Sequence, residues 1–221
     1  MAKVKKIIPS KLETGLQQFL YKHVGPYIPK SMTPNQMTMI GAFGGLFAII
    51  CTLLTNITPY FFIGVICGTL LHLFADDLDG YIARSRNMAS KGGQYLDLIT
   101  DIIFSTFLLI ALGLSNYCNI KIAIFLVPVY GIIIVTAMHY ILHLNEFLFP
   151  RLGPIETHIC YVAISIGCMI FKTNYLIKIG NLGFKFTDLV MIIAGIPMYY
   201  EMIRLQIQLF KRLNRMENNE E

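Results

Sequence analysis

The sequence predicts an all-α, polytopic membrane protein with about six transmembrane helices that follow an amphipathic interfacial helix. Of the 221 residues, 55% are hydrophobic and only 14% are charged, whereas roughly a quarter of the residues of an average soluble domain are charged. The mean hydropathy is +0.60. Six apolar stretches are close in length to the roughly 20 residues that a helix needs to cross the hydrocarbon core. They are 39–55, 60–75, 102–114, 122–138, 155–171 and 189–203.

The first element in chain order is a helix predicted ahead of the first span. Its apolar residues recur at helical spacing with basic and amide side chains between them, which is typical of a helix in the membrane interface. A helix packed on the protein itself would show the same pattern, so both interpretations stay open. The apolar residues are Leu12, Leu16, Phe19, Leu20 and Val24.

The spans divide the chain into three parts. We expect an amphipathic juxtamembrane segment at residues 1–32, a six-helix membrane domain at 33–207 and a charged C-terminal tail at 208–221.

Basic residues orient the chain, because short cytoplasmic loops of membrane proteins carry an excess of Lys and Arg. They concentrate before the first span, after the second span and in the C-terminal tail, which all fall on one side of a six-span arrangement. The loop between the fifth and sixth spans does not follow this pattern, because it carries Lys172, Lys178 and Lys185 on the opposite side. We therefore expect an integral, multi-pass protein with both termini in the cytoplasm.

Five aspartates and three glycines interrupt the apolar pattern within residues 74–101. Asp76 and Asp79 are three residues apart, and Asp97 and Asp101 are four apart, so each pair lies on one face of a helix. If the second and third spans extend into this stretch, they run antiparallel and present both pairs at the same end. The sequence therefore predicts a four-carboxylate site at the cytoplasmic boundary of the membrane.

Four neighbouring carboxylates repel one another, and ionisable groups within spans are costly enough that they usually indicate function. Carboxylate oxygens suit Mg²⁺ or Mn²⁺, which also take phosphate oxygens of a substrate. Two such ions would hold a phosphoryl group between its attacking and leaving oxygens. The fifth aspartate, Asp77, falls between the pairs and is expected to face water.

Three further residues of the stretch fit a substrate that contains phosphate. Gly80 follows Asp76 by one turn and leaves that face of the helix open to close approach. Arg84 offers a planar cation suited to bidentate phosphate contact. Gly93 opens the facing helix one turn before Asp97.

This arrangement resembles the signature of the CDP-alcohol phosphatidyltransferase family at every fixed position. Members of that family cleave a CDP-alcohol at its pyrophosphate, transfer the phosphoalcohol to an acceptor hydroxyl and release CMP, with two divalent metals. The residues that carry the resemblance are Asp76-x-x-Asp79-Gly80-x-x-Ala83-Arg84, then eight residues, then Gly93-x-x-x-Asp97-x-x-x-Asp101.

The resemblance implies roles for these residues. All four aspartates of the signature would be metal ligands, and Asp101 would also be the general base that deprotonates the acceptor hydroxyl. Gly80 and Arg84 would contact the diphosphate, where Gly93 leaves room for it. Ser90 matches a position that touches the nucleotide-lipid.

The segment Thr33-Pro34-Asn35-Gln36-Met37-Thr38 resembles the PNxxT element of the same family. The resemblance implies that Asn35 and Thr38 lie near the cytidine. The alternative interpretation of this segment is a proline-containing turn and a helix N-cap.

The resemblance also implies the partners of the chain. They are a CDP-alcohol and an acceptor alcohol, of which one is a lipid, the surrounding membrane lipids and a second copy in a homodimer. Nucleic acid is not among the expected partners.

The signature does not distinguish CDP-diacylglycerol with a polar alcohol from CDP-choline or CDP-ethanolamine with diacylglycerol. The residues Gly153-Pro154-Ile155-Glu156 are similar to a GPxE element of the choline and ethanolamine enzymes, but the DHGCD sequence of those enzymes is missing from 96–101. A phosphorylated acceptor would need a basic site, for which Arg86, Lys91 and Arg151 are the candidates. We expect His139, His143 and His158 to be ordinary polar residues near the membrane surface.

A transporter or channel with a carboxylate-lined cation site is the alternative from a different class. It needs polar residues distributed over several spans, whereas these aspartates cluster at one depth. Other membrane prenyltransferase motifs fail, because Ala75, Gly80 and Ala83 stand where those motifs require polar or acidic residues.

Overall fold

Helices dominate the computed structural model, which describes residues 5–7, 11–148, 153–180 and 182–217. Two pairs of short strands accompany the helices in these residues. The helices are α1 (Lys11–His23), α2 (Pro34–Leu54), α3 (Phe61–Ser85), α4 (Lys91–Leu114), α5 (Ile120–Leu144), α6 (Pro154–Phe171) and α7 (Phe186–Glu217). The strands are β1 (Lys5–Ile7), β2 (Glu146–Leu148), β3 (Tyr175–Ile179) and β4 (Leu182–Lys185).

Six of the helices, α2 to α7, are long and apolar enough to cross a membrane. The predicted all-α, six-span architecture is therefore confirmed. The spans extend further than their apolar stretches, since α3 continues through the first aspartate pair and α4 begins before the second. The division of the chain into three parts stays a prediction, and α7 continues as a helix through Glu217.

The start of α2 is fixed by a capping box. The Thr33 hydroxyl accepts a hydrogen bond from the Gln36 backbone N–H at 3.3 Å, and the Gln36 side chain accepts one from the Thr33 N–H at 2.9 Å. Pro34 takes the first helical position, where its missing N–H needs no partner. The N-cap interpretation of this segment is therefore confirmed, and it places Asn35 and Thr38 on the first turns of a span.

Small residues let α2 pack closely against α3. A Cβ atom on Gly68 would lie 2.5 Å from the Gly44 carbonyl oxygen and 2.8 Å from the Ala48 backbone nitrogen. Small residues allow such close backbone contact between helices inside membranes, where dispersion forces replace the hydrophobic effect. Because α2 also packs against α4, it fixes both helices that carry the aspartates.

The other helices complete the bundle. Helix α4 packs against α5, α3 against α6, and α7 against both α5 and α6. A buried cluster at one end of the bundle joins α1 to the first two spans, and it comprises Leu20, Ile28, Met37, Ala75, Leu78 and Ile82.

Helix α1 combines the two interpretations of its sequence. Leu20 is buried against the bundle, whereas Leu12 and Phe19 are 59% and 56% exposed. One side of the helix therefore packs on the protein, and apolar side chains remain exposed on another side.

Short strands form at both ends of the bundle, where the sequence analysis assigned none. Strands β1 and β2 pair in parallel, and β3 and β4 form an antiparallel hairpin between α6 and α7. Two of the lysines that do not follow the charge pattern, Lys178 and Lys185, lie in this hairpin. Both lie over the Tyr175 ring. Lys185 also donates to the Asn116 carbonyl oxygen at 2.5 Å, so the hairpin gives these charges local partners.

The contact between α2 and α3 predicts that Gly68→Ala destabilises the protein by about 1–3 kcal/mol, as overpacking of a core does. The added methyl group would meet backbone atoms of α2, which cannot rotate away as a side chain would. We expect a lower midpoint of thermal denaturation for the protein in detergent. Size-exclusion chromatography after heating measures this midpoint. Gly15→Ala is the matched control, because open space surrounds Gly15. An unchanged midpoint for Gly68→Ala would contradict the close contact.

Candidate metal and phosphate site

A cavity of about 730 Å³ lies at the end of the bundle where α3 and α4 are connected. Residues of α1 to α6 form its wall. The ten residues that the sequence analysis assigned to the site all line this cavity, namely Asn35, Thr38, Asp76, Asp79, Gly80, Arg84, Ser90, Gly93, Asp97 and Asp101.

Three of the aspartates could hold one metal ion. Asp76, Asp79 and Asp97 each offer a carboxylate oxygen, and these oxygens lie within 4.8 Å of one another. Two ligand atoms of an octahedral Mg²⁺ ion lie about 3.0–4.2 Å apart, so small side-chain rotations would bring the three oxygens to bonding distance. Carboxylates are also the ligand type that Mg²⁺ and Mn²⁺ prefer. These residues therefore fit a divalent cation.

The fourth aspartate has a different neighbour. Asp101 lies outside this set of three, and its Oδ1 is 3.8 Å from Nε2 of His72 on α3. His72 precedes Asp76 by one helical turn, so the two side chains share a face of α3. His72 was not among the predicted site residues, although its spacing from Asp76 is visible in the sequence.

Thr38 positions one of the carboxylates. Its Oγ1 lies 2.5 Å from Asp79 Oδ2 and 3.2 Å from the Pro34 carbonyl oxygen. A hydroxyl has a single hydrogen to donate, and the shorter contact assigns it to the carboxylate. Thr38 was expected near the cytidine, and its position adds a contact with Asp79 that crosses from α2 to α3.

Arg84 lies along the cavity wall above Gly80. A Cβ atom on Gly80 would lie 3.0 Å from a terminal nitrogen of Arg84, so the glycine makes room for the folded-back guanidinium. The Arg84 guanidinium also donates to the Tyr21 hydroxyl oxygen at 2.5 Å and lies 5.6 Å from the centre of that ring. Tyr21 belongs to α1 and lines the cavity. It was not a predicted site residue, because no local sequence pattern links it to Arg84.

Ser90 and Gly93 form the start of α4. The Ser90 hydroxyl accepts a hydrogen bond from the Gly93 backbone N–H at 3.0 Å, which is an N-cap. A Cβ atom on Gly93 would lie 3.0 Å from Asn35 Oδ1. Gly93 therefore allows Asn35 to approach the first turn of α4.

Two expectations about polar residues were wrong. Asp77 was expected to face water, but it is only 6% exposed and lines the cavity. His158 was expected to be an ordinary surface residue, but it is buried between the spans, and its Nε2 lies 3.3 Å from His72 Nδ1. Helix packing, which local spacing does not reveal, buries both side chains. His139 and His143 are exposed and stack on each other, as a surface position predicts.

Helix α5 lines the cavity with mainly apolar side chains. The cavity thus has a charged side, made by α3 and α4, and a side suited to hydrocarbon. The apolar wall comprises Tyr130, Ile133, Ile134, Ala137, Ile141 and Leu142.

These features define a class of protein: a helical membrane protein with an acidic cavity suited to a divalent cation and a phosphate-containing substrate. Comparison with known families then identifies the chain more closely, since the profile described as CDP-alcohol phosphatidyltransferase matches residues 31–200. The chain belongs to this family. No curated protein matches it.

Family membership confirms the resemblance inferred from the aspartate signature. The family comprises transferases of phosphate-containing groups in phospholipid synthesis, which bind a CDP-alcohol and an alcohol acceptor that is often a lipid. Its members generally depend on divalent metals, which agrees with the oxygen cluster on α3 and α4.

The contact between Thr38 and Asp79 predicts that Thr38→Val weakens binding of Mn²⁺ about 10- to 100-fold, the usual effect of removing a group that orients a metal ligand. The valine keeps the shape of threonine but cannot donate to the carboxylate. The measurement is titration of the purified protein with Mn²⁺.

Thr52→Val is the matched control for this substitution. Thr52 is buried in the same helix, and its hydroxyl donates to the Ala48 carbonyl oxygen of that helix at 2.8 Å. An equal loss of affinity in both variants would contradict a specific role for Thr38.

Proposed function

We propose that this protein transfers the phosphoalcohol group of a CDP-alcohol to an acceptor hydroxyl, with release of CMP, in phospholipid biosynthesis. One observation carries the proposal: the convergent oxygens of Asp76, Asp79 and Asp97 share a cavity with Arg84. Converging carboxylates repel one another unless a cation lies among them, and a guanidinium suits phosphate oxygens. A nucleoside diphosphate bound with divalent cations would satisfy both groups.

The two sides of the cavity support a substrate pair in which one member is a lipid. The α3 and α4 side offers charged groups for the diphosphate, and the α5 side offers apolar side chains for hydrocarbon. We propose either CDP-diacylglycerol with a polar alcohol, or CDP-choline or CDP-ethanolamine with diacylglycerol.

Divalent cations, Mg²⁺ or Mn²⁺ and two in number, would stabilise the charge that develops on the attacking and leaving oxygens. Asp76, Asp79 and Asp97 would hold one of them, and Asp101 would contribute to the second. Thr38 would keep the Asp79 carboxylate oriented, since its hydroxyl donates to that group.

Asp101 is the proposed general base. Its carboxylate would take the proton of the acceptor hydroxyl while the hydroxyl oxygen attacks the phosphorus that bears the alcohol. The bond between that phosphorus and the bridging oxygen then breaks, and CMP leaves with the bonding electrons. The proton ends on Asp101 and passes to solvent before the next turnover.

The remaining residues would position the nucleotide. We propose that Arg84 contacts the diphosphate from its place above Gly80, and that Gly93 gives the diphosphate access to the first turn of α4. Asn35 and Ser90, which also line the cavity, would contact the cytidine portion. The Ser90 oxygen accepts from the Gly93 N–H, and its hydroxyl hydrogen remains to donate to a substrate.

Arg86 was one of three candidate cations for binding a phosphorylated acceptor, but its guanidinium already has other partners. Its guanidinium donates to the backbone carbonyl oxygens of Ile28, Pro29, Lys30 and Met32 at 2.6–3.3 Å. This arginine therefore anchors the segment before α2. Lys91 lines the cavity, and Arg151 lies outside the described residues.

The GPxE resemblance has a structural explanation in this chain. Glu156 accepts a hydrogen bond from the Gly153 backbone N–H at 2.9 Å, which caps the start of α6. Because the carboxylate is used in this way, the resemblance gives little weight to the choline or ethanolamine option.

The orientation and assembly of the protein are further parts of the proposal. Basic residues flank the site end of the bundle, with Arg84, Arg86 and Lys91 around the connection between α3 and α4. The positive-inside rule then puts the cavity and both termini on the cytoplasmic side. We also propose that the protein forms a homodimer in the membrane. Helix α1 would lie in the interface between membrane and water.

The proposal predicts that the purified full-length protein releases CMP from one donor class when Mg²⁺ or Mn²⁺ is present, and not in EDTA. One arm contains CDP-diacylglycerol with mixed polar alcohols, and the other contains CDP-choline and CDP-ethanolamine with diacylglycerol. Mass spectrometry of the lipid products identifies the acceptor. Asp101→Asn should lower kcat on the order of 10²–10⁴-fold, the usual contribution of a general base.

Two results would contradict this function. Full activity of Asp101→Asn would exclude Asp101 as the base. If neither arm gave CMP, and Asp101→Asn instead changed an ion flux in proteoliposomes, a transporter or channel would be favoured. An unchanged elution volume and thermal midpoint of the variant provide the folding control.

The contact of Tyr21 with Arg84 predicts that Tyr21→Phe raises the KM for the CDP-alcohol. The phenol oxygen holds the guanidinium in the cavity wall, and a hydrogen bond to a charged group is worth about 1.5–3 kcal/mol. We expect KM to rise at least about tenfold from that range, with a smaller change in kcat. Steady-state kinetics with varied donor concentration measure both.

Tyr81→Phe is the matched control for this substitution. The Tyr81 ring packs against Tyr21 in a tilted arrangement with centroids 5.1 Å apart, but Tyr81 is not among the residues that line the cavity. A KM unchanged in Tyr21→Phe, or raised equally in both variants, would argue against positioning of Arg84 by Tyr21.

A further inference from the structure

The hairpin of β3 and β4 carries charges and apolar side chains that the proposed function does not use. It lies at the end of the bundle opposite to the site, because α6 begins at Pro154 in the cavity wall and runs to Phe171 at the other end. Lysines of this connection are also the ones that do not follow the charge pattern of the other loops.

The length of α6 places this hairpin at a membrane surface. The helix has 18 residues and extends about 27 Å at the helical rise of 1.5 Å per residue, close to the roughly 30 Å of the hydrocarbon core. Strand β3 begins at Tyr175, four residues after the last residue of α6, and α7 starts directly after β4. The hairpin therefore lies where the hydrocarbon core meets the headgroups.

One face of the hairpin is apolar and exposed. Ile177 and Ile179 lie on the same face, since a strand alternates its side chains between two faces. They pair with Phe184 and Leu182 on β4, and directly paired side chains share a face. The exposed fractions of Ile177, Ile179 and Leu182 are 46%, 66% and 61%. The protein itself therefore leaves this apolar face largely uncovered.

The opposite face of the hairpin is basic and aromatic. Lys178 pairs with Gly183, and a Cβ atom on Gly183 would lie 2.5 Å from a ring carbon of Tyr175. A register shift between Tyr175 and Ile177 allows the tyrosine to share the face of Lys178. The ammonium groups of Lys178 and Lys185 lie 5.5 Å and 5.8 Å from the centre of the Tyr175 ring. The hairpin is therefore amphipathic.

Acidic side chains do not balance the lysines of this connection. In the part of the chain that the structure describes, neither Lys172 nor Lys178 forms an ion pair. Asp188 is the single acidic residue of 172–200. It is fully buried and accepts hydrogen bonds from two backbone N–H groups at 2.6 Å and 2.9 Å. Lys172 and Lys178 thus remain available to a partner with negative charge.

We propose that this hairpin binds anionic phospholipids in the leaflet opposite to the site. Its apolar face enters the acyl chains, as the apolar face of an interfacial amphipathic element does. Lys172 and Lys178 contact phosphate oxygens, because lysine keeps its stem in apolar surroundings and its ammonium group at the headgroups. Tyr175 suits the same depth, where tyrosine is enriched in membrane proteins. This lipid site is independent of the transfer of a phosphoalcohol.

The charge of the hairpin favours an anionic headgroup over a zwitterionic one. A zwitterionic headgroup brings its own cation, which opposes the approach of lysine, whereas an anionic headgroup carries a net negative charge. One lysine near an anionic membrane surface strengthens binding about fivefold. An anionic lipid partner also accounts for basic residues on the side of the membrane where the charge pattern of the other loops does not place them.

The chain contains no tryptophan, which makes a local test possible. Ile179→Trp puts the only tryptophan on the exposed apolar face, and bromine on lipid acyl chains quenches tryptophan fluorescence on contact. The purified full-length variant is reconstituted into vesicles of equal parts phosphatidylglycerol and phosphatidylcholine, with bromine on one lipid or the other. We expect blue-shifted emission and an enrichment of phosphatidylglycerol at the hairpin of about fivefold for each lysine.

Substitution of the lysines in this tryptophan variant assigns the preference. Lys178→Gln should lower the enrichment about fivefold, and Lys178→Gln combined with Lys172→Gln should abolish it. Quenching itself should persist, because the apolar face is unchanged. Lys121→Gln is the matched control, since it removes an exposed lysine at the start of α5, and it should keep the enrichment. An unchanged elution volume and thermal midpoint provide the folding control.

Three results would overturn the proposal. Red-shifted emission without quenching would place the hairpin in water, where a protein partner could cover the apolar face. Equal quenching by the two lipids before any lysine is replaced would mean a membrane contact without selection of anionic lipid. Enrichment that survives the loss of both lysines would assign the selection to other groups. The release of CMP is measured separately, so each of these results would leave the proposed function intact.

Discussion

The repulsion among carboxylates held at one depth of the bundle is the constraint on which this structure depends. Asp76, Asp79 and Asp97 converge within 4.8 Å, and negative charges at such a distance repel one another unless a cation or a proton balances them. Helix α2 opposes this tendency because it packs against both helices, closely enough at Gly68 to exclude a side chain. The packing of α2 therefore holds the acidic groups in place. A bound cation would remove the repulsion among them.

The N-terminal segment belongs to the site as much as the spans do. Tyr21 reaches Arg84 from α1, and Arg86 binds four carbonyl oxygens of the segment that leads into α2. Arg86 supplies hydrogen-bond donors to the carbonyl oxygens of a segment that forms neither a strand nor an α-helix. The geometry of the cavity entrance thus depends on two arginines. Arg84 lies in the cavity wall, and Arg86 holds the segment before α2.

Local spacing predicted much of this molecule, because a helix converts sequence intervals into faces. The cavity position of Asn35 was implied by the resemblance of its segment to a family element, whereas the six spans and the pairing of Asp76 with Asp79 follow from such intervals. The contact of Thr38 with Asp79 does not, since it depends on the rotation of two packed helices. The burial of Asp77 was mispredicted for the same reason. The role of Arg86 was also hidden, because backbone carbonyl partners leave no mark on side-chain patterns.

The order of the site residues along the chain has a consequence for biosynthesis. All the carboxylates that line the cavity precede residue 102, whereas His158, which contacts His72, follows on α6. At typical translation rates the interval between them lasts about 3–10 s. During that time the first three spans hold an acidic cluster without the walls that α5 and α6 later provide. Until α5 and α6 are made, these carboxylates stay open to the ions and water that balance and solvate their charge.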